Sequence, residues 1–134
     1  VTVVKSQRSE GELTVITKAR DLADYTVTIC SNEKYFPKRY RWCLTGKIVN
    51  SAIEIHMLCL KANAVYVRDD EDYQLRKRYQ TMALSETYAL EGVMDIAYRT
   101  FGVDADRIDT WSRKLHDVQN LIRAWRKKEL RGNG

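Results

Sequence analysis

Residues 104–131 read DADRIDTWSRKLHDVQNLIRAWRKKELR, and their spacing decides the fold. Ile108, Trp111, Leu115, Val118, Ile122 and Trp125 recur at alternating intervals of three and four. That repeat draws one apolar stripe along an α-helix, the seam of a bundle or coiled coil. A strand would alternate at every second residue, and nothing here does. Asp104 or Asp106 offers an N-cap carboxylate to the first unpaired backbone N–H groups. After the seam come Arg126-Lys127-Lys128 and Arg131, then the breaker run Gly132-Asn133-Gly134. Cations at a helix C-terminus oppose the negative end of its dipole, so taken alone this run reads as a solvated helix end.

Working back along the chain, helical periodicity returns three more times. A first helix is expected over about 13–31, with Ile16, Ala19, Ala23, Val27 and Cys30 on one face. Its threonines and valines give it mediocre intrinsic propensity, so packing must hold it. Asn32 to Phe36 form a loop, and Pro37 fits the first turn of helix two, where its missing N–H costs nothing. Helix two reaches Ala64 and is apolar on two faces. Tyr40, Leu44, Ile48, Ala52, Ile55 and Cys59 mark one; Trp42, Val49, Ile53, Met57 and Leu60 mark the other. One intramolecular seam cannot bury both, so the second face is expected to meet another subunit.

Helix three is expected over about 71–101, with Leu75, Tyr79, Met82, Ala89, Val93 and Ile96 as its seam. Glu86 falls on that stripe, as a buried polar partner or a break towards an interface. Gly102 ends the helix in the C′ role. Four helices joined by short loops imply an all-α, antiparallel up-down-up-down four-helix bundle. It would occupy residues 13–131, with an N-terminal tail over 1–12 and a C-terminal tail over 132–134.

One proline and six glycines in 134 residues leave little punctuation, and the 44% hydrophobic and 31% charged content is ordinary for one water-soluble domain. No uninterrupted apolar run approaches the roughly 20 residues that span a bilayer, so no membrane partner is expected. The first residues lack the apolar core of a secretory signal. Cys30, Cys43 and Cys59 are odd in number, sit at apolar-patterned positions, and read as small core residues in a reducing compartment. These signs point to the cytoplasm. The chain begins at Val1 and not at methionine, so its first residues need not be the native start.

Motifs that carry chemistry are scarce. His56 and His116 are the two histidines. His116 and Asp117 are sequence neighbours that diverge on a helix, and Ser112, one turn earlier, is an ordinary helix hydroxyl. Asp69, Asp70, Glu71 and Asp72 lack the glycine and spaced ligands of a calcium loop and suit the positive end of helix three. The Glu-x-x-His, Gly-rich phosphate-loop, CxxC and HExxH motifs do not occur. The chain therefore reads as a non-enzyme with no metal and no cofactor.

What remains is basic. Lys34, Lys38, Arg39, Arg41 and Lys47 fill a window free of acids and interleaved with Tyr35, Phe36, Tyr40 and Trp42. Arg123, Arg126, Lys127, Lys128 and Arg131 close helix four, whose end should approach Arg76, Lys77 and Arg78 at the start of helix three. A net charge of +5 is modest. Cations spread over an outer surface nevertheless suit sequence-independent contact with a phosphate backbone.

Lys34-Tyr35-Phe36-Pro37-Lys38-Arg39-Tyr40-Arg41-Trp42, a gap of helix length, Trp111-Ser112-Arg113-Lys114-Leu115 and Ala124-Trp125-Arg126-Lys127-Lys128 form a pattern. It resembles the accessory variability determinants of diversity-generating retroelements. Those are small four-helix-bundle proteins related to bundle proteins encoded in intervening sequences of bacterial 23S ribosomal RNA genes. The resemblance covers about residues 19–128 and is one of packing and charge, without a catalytic signature. It implies a homopentameric, barrel-like assembly with a basic surface. Such an assembly binds the element's reverse transcriptase and template RNA and supports mutagenic, adenine-directed cDNA synthesis without being the polymerase. Single-stranded DNA would bind through the same phosphates. Two departures stand out: the acidic run at Asp69 to Asp72 would repel RNA locally, and Val1 to Glu12 matches no part of the pattern. Two other classes compete. A ribosomal-RNA-associated bundle would share fold and charge but have no polymerase partner, and a purely structural oligomer would bind no nucleic acid.

Overall fold

The computed structural model describes residues 10–133, with side chains for 14–129. Its helices are α1 (Glu10–Cys30), α2 (Gly46–Ala64), α3 (Asp70–Phe101) and α4 (Ala105–Asn133). α1 packs on α2, α2 on α3, α3 on α4, and α4 back on α1. The result is an all-α four-helix bundle, with no strand among the described residues. Late α3 meets early α4 through Glu91 and His116, and early α3 meets late α4 through Arg76 and Glu129. These two helices therefore run antiparallel. Both ends of the bundle take in residues assigned above to tails, since α1 begins at Glu10 and α4 reaches Asn133.

The α4 seam lies where its spacing predicts. Trp111, Leu115, Val118 and Ile122 are fully buried, Trp125 is nearly so, and Ile108 packs against them half-buried. The Trp111 indole N–H donates to the Thr26 hydroxyl at 2.9 Å, which donates in turn to the Leu22 carbonyl at 2.7 Å. A threonine thus enters the α1 core with its polar group satisfied. Asp104 is the α4 cap: its carboxylate accepts the Arg107 backbone N–H at 2.9 Å. That N–H, followed by the Arg107 guanidinium and the Tyr35 hydroxyl, holds the Asp104 carboxyl below its ordinary range.

The first face of helix two is also as expected, with Leu44, Ile48, Ala52, Ile55 and Cys59 buried. By length and composition alone, Lys38–Ala64 could cross a bilayer, with a mean hydropathy of 1.2. Its buried face packs between α1 and α3, the position of a core helix. In α1, Ala19, Ala23 and Cys30 are buried as expected, but Val27 is exposed and Val15, Leu22 and Ile29 fill the core instead. Burial pushes the Cys30 and Cys59 thiols up to about 12. Cys43 corrects the expectation of three core cysteines, because it is exposed.

Two helices depart further from their predicted course. On α3 the buried stripe is Gln80, Ala83, Thr87, Leu90, Met94 and Ala97, while Met82, Ala89 and Ile96 face outwards. The intervals of three and four are intact, but two of the buried residues are polar. Gln80 donates to Glu129 and Thr87 to the Leu84 carbonyl, so their burial is compensated. Glu86, expected as a buried polar partner or a break towards an interface, is half-buried and accepts the Ser51 hydroxyl at 2.6 Å.

Helix two does not start at Pro37. Pro37 is extended (ψ 143°) ahead of a 3₁₀ turn at Lys38–Tyr40, a π-helical turn follows at Arg41–Thr45, and regular α2 begins at Gly46. The irregularity has a packing reason. Phe36 is 3% exposed and packs edge-on to Phe101 and Trp111, and Tyr40 also packs on Phe101. Holding these rings in the end of the bundle while Leu44 stays in the core takes one extra residue in the turn. Gly46 closes that turn by donating to the Arg41 carbonyl, and a Cβ there would sit 3.0 Å from that oxygen.

Candidate nucleic-acid interface

The expected basic residues fall at two ends of the bundle. One end gathers the α1–α2 connection, the end of α3 and the start of α4. There the Arg107 guanidinium lies 4.7 Å over the Tyr35 ring and donates to its hydroxyl at 3.1 Å. Lys34, Lys38, Arg39, Arg41 and Lys47 are all exposed around this end. Lys38 forms a solvated pair with Glu33 at 3.5 Å, Lys34 lies 5.6 Å over Tyr35, and Arg39 lies 5.1 Å over Tyr40. From Lys34 to Ile53 the chain has five cations and no acid. Of these five cations only Lys38 is paired with a carboxylate among the described residues, and the exposed positive charge draws phosphate from solution.

The other end joins the start of α3 to the end of α4, the approach that an antiparallel bundle requires. Here Arg76 is a correction. Its Nε and Nη2 donate to the Glu129 carboxylate at 3.0 and 2.6 Å, and its Nη1 donates to the Val65 carbonyl at 3.2 Å. Gln80 and Trp125 donate to the same carboxylate at 2.8 and 2.9 Å. With side chains only 12% and 18% exposed, Arg76 and Glu129 form a largely covered pair, and Arg76 is withdrawn from the outer surface. Lys77 is held by Tyr73, donating to its hydroxyl at 2.5 Å. Arg123 lies 5.4 Å over Tyr88 and donates to Asn120, and Arg126 is half-buried. Arg78, Lys127 and Lys128 are exposed, and the side chain of Arg131 lies outside the described residues. Glu129 was hidden in the sequence by its basic neighbours. Its signal was the spacing of four from Trp125, which puts the two on one helix face.

The two basic ends are not brought together. Helices of 32 and 29 residues separate them, about 40 Å at 1.5 Å per residue. Between them lie apolar stripes. Ile53, Met57 and Leu60 are 38%, 42% and 43% exposed, and Val49 is half-buried. Met82 and Ile96 make a second outward stripe on α3. Trp42, expected to continue the α2 stripe, is 90% exposed and lies in the π turn ahead of regular α2.

Groups with catalytic potential are paired differently from their sequence order. His116 Nε2 meets Glu91 Oε2 at 3.0 Å across α3 and α4, and Gln119 donates to Glu91 Oε1 at 3.2 Å. These two bonds hold the Glu91 carboxyl below its ordinary range. Ser112 borders a shallow hollow of about 340 Å³ beside Glu91 and Ile108. The acidic run caps α3: Asp69 accepts the Asp72 backbone N–H at 2.9 Å, and Asp72 accepts from Arg68 at 3.2 Å. No group of three or more His, Cys, Asp or Glu side chains suited to a metal ion occurs among the described residues.

No protein-family model matches the chain, and neither a curated protein nor a solved structure matches it significantly.

Proposed function

We propose that this chain is a non-catalytic, cytoplasmic nucleic-acid-binding bundle that assembles with copies of itself and serves a reverse transcriptase. The observation that carries the nucleic-acid reading is the cluster of exposed Lys34, Lys38, Arg39, Arg41 and Lys47, a stretch of sequence without an acid, at one end of the bundle. Its cations contact phosphates with little sequence preference, since a convex helical surface offers no pocket for base edges. Self-assembly is supported by Ile53, Met57 and Leu60, whose outward stripe on α2 stays about two-fifths exposed in one copy. The reverse-transcriptase partner, the template RNA and the pentamer follow the likeness of Lys34–Trp42 and Trp111–Lys128 to the accessory variability determinants, and the up-down-up-down order of all four helices follows from their short connections. Repeating a weak basic patch around a ring would raise affinity by about 10²-fold or more through avidity.

Affinity for a single-stranded RNA measured against salt tests the binding reading. Each cation that neutralises a phosphate adds about 0.7 to the slope of log affinity against log salt. Replacing Arg39, Arg41 and Lys47 by glutamine should therefore lower the slope by about 2 per copy; equal slopes remove this end from the site. The same change in Lys127 and Lys128 asks whether the far end contributes. For self-assembly, Ile53→Asp should give smaller species in sedimentation, and a wild-type protein that is monomeric at tens of micromolar would end that part. Whether a neighbouring gene encodes a reverse transcriptase, and whether that enzyme co-purifies with this protein, tests the partner.

A further inference from the structure

We infer that Trp42 is a stacking platform for an unpaired base, which makes the cluster at the start of helix two a single-strand site. This rests on the reading of that cluster as a phosphate surface and adds what the phosphates alone cannot supply. The three tryptophans divide sharply: Trp111 is 0% exposed, Trp125 is 4%, and Trp42 is 90%. An indole left almost wholly in water contributes nothing to this bundle's core, so stability does not account for it.

Its mounting is rigid. Leu44 and Thr45, in the same π turn, are buried, and the turn is closed on one side by Gly46 and on the other by Tyr40 against Phe101. A platform on a packed turn holds its geometry better than one on a mobile loop. Trp42 lies in this turn, ahead of the regular α2 helix that carries Ile53, Met57 and Leu60.

The surroundings select the partner. Arg39, Arg41 and Lys47 are exposed near Trp42 in sequence, and no carboxylate occurs between Lys34 and Ile53. An apolar protein surface would have to desolvate these cations to reach the indole, whereas a polyanion gains by approaching them. Arg39 is already drawn to the Tyr40 ring and Lys34 to the Tyr35 ring, which leaves the indole to an incoming ligand. Phosphates on the cations and a base on the ring is the combination by which single strands are held without sequence readout. A duplex keeps its bases stacked inside and presents no free face.

The test uses the full chain and two single strands of equal length, oligo-dT and an abasic strand with the same phosphates. Stacking of one base is expected to make wild type bind oligo-dT about 5- to 150-fold more tightly than the abasic strand. It should also quench the solvent-exposed part of the tryptophan emission, with Trp111 and Trp125 as shielded bystanders. Trp42→Ala should abolish both the preference and the quench while leaving abasic binding and its salt slope unchanged; Trp42→Phe should keep part of the preference. Equal affinity of wild type for the two strands overturns the inference and leaves the phosphate surface standing. Failure to bind either strand overturns both. A Trp42→Ala protein that keeps the preference but sediments as a smaller species shows the indole to be a contact between copies and overturns the inference as well.

Discussion

At the α3/α4 end, Arg76 lies 5.6 Å over the Trp125 ring, and both side chains turn inwards to share the Glu129 carboxylate. At the start of helix two, Arg41 and Trp42 are neighbours in sequence, and both are exposed. The residue types are the same; the difference is the acid. Glu129 neutralises the guanidinium, accepts the indole N–H and lets the whole group be covered. Without a carboxylate between Lys34 and Ile53, burying Arg41 would strand a charge, so the arginine and its aromatic neighbour stay in water. A basic aromatic motif is therefore structural or available for binding according to whether an acid lies within reach.

Truncating the tryptophans breaks this contrast most directly. Trp125→Ala should cost about 3–5 kcal/mol in urea unfolding, whereas Trp42→Ala should stay within about 0.5 kcal/mol of wild type. Equal costs at the two positions would refute the division into core and surface rings. Removing the acid comes next. Glu129→Ala removes the covered carboxylate that Arg76, Gln80 and Trp125 share and should cost about 3 kcal/mol, while Glu33→Ala, which breaks only the solvated pair with Lys38, should cost about 0–1 kcal/mol. Replacing Arg76 and Glu129 together by methionine and leucine should recover much of the loss, because both covered charges of the pair leave together. A double variant as unstable as Glu129→Ala would mean that the network stabilises through packing of its hydrocarbon and not through its charges.

How legible each region was follows from how its residues satisfy themselves. The α4 seam could be read directly because all six of its positions are apolar, and Asp104 caps the helix through its own side chain. The α3 seam could not, since Gln80 and Thr87 are buried through hydrogen bonds to Glu129 and Leu84, and a pattern of hydrophobicity passes over such residues. Helical phase failed at Arg41–Thr45 for another reason. Regular spacing assumes 3.6 residues per turn, and the π turn there depends on Phe36 and Tyr40 meeting Phe101, a residue some sixty positions away that no local window contains. Of the basic site, the exposed cluster from Lys34 to Lys47 was visible as an acid-free run. The loss of Arg76 was not, because its partner Glu129 is 53 residues distant.

Smaller effects separate two glycines at and within α3. Gly102 has φ +66°, a left-handed conformation that strains any side chain, so Gly102→Ala should lose about 1 kcal/mol. Gly92 is exposed in the helix interior, and a Cβ there would meet nothing within 4 Å. Gly92→Ala should gain about 1 kcal/mol through helix propensity. A loss at Gly92, detected by thermal or urea unfolding, would mean that another chain approaches the outward stripe of α3 closely.

The smallest effect lies between α1 and α2, at His56. Burial, then the positive charge of Arg20, lowers its pKa from 6.5; Asp24 and the Ile16 backbone partly oppose them. A histidine whose folded pKa is depressed is neutral in the native state while the unfolded chain still takes up a proton. Between the folded and unfolded values the unfolded state binds more protons, so stability rises with pH. The contribution is complete above the unfolded value and is lost as the pH falls below 6.5 towards the folded one. His56→Gln removes the titration and should flatten the stability profile between pH 7.5 and 5.5, while Asp24→Asn, which removes the opposing carboxylate, should steepen it. Parallel profiles for wild type and His56→Gln would show that His56 takes up its proton equally readily in both states and that the cover from α1 does not reach its ring.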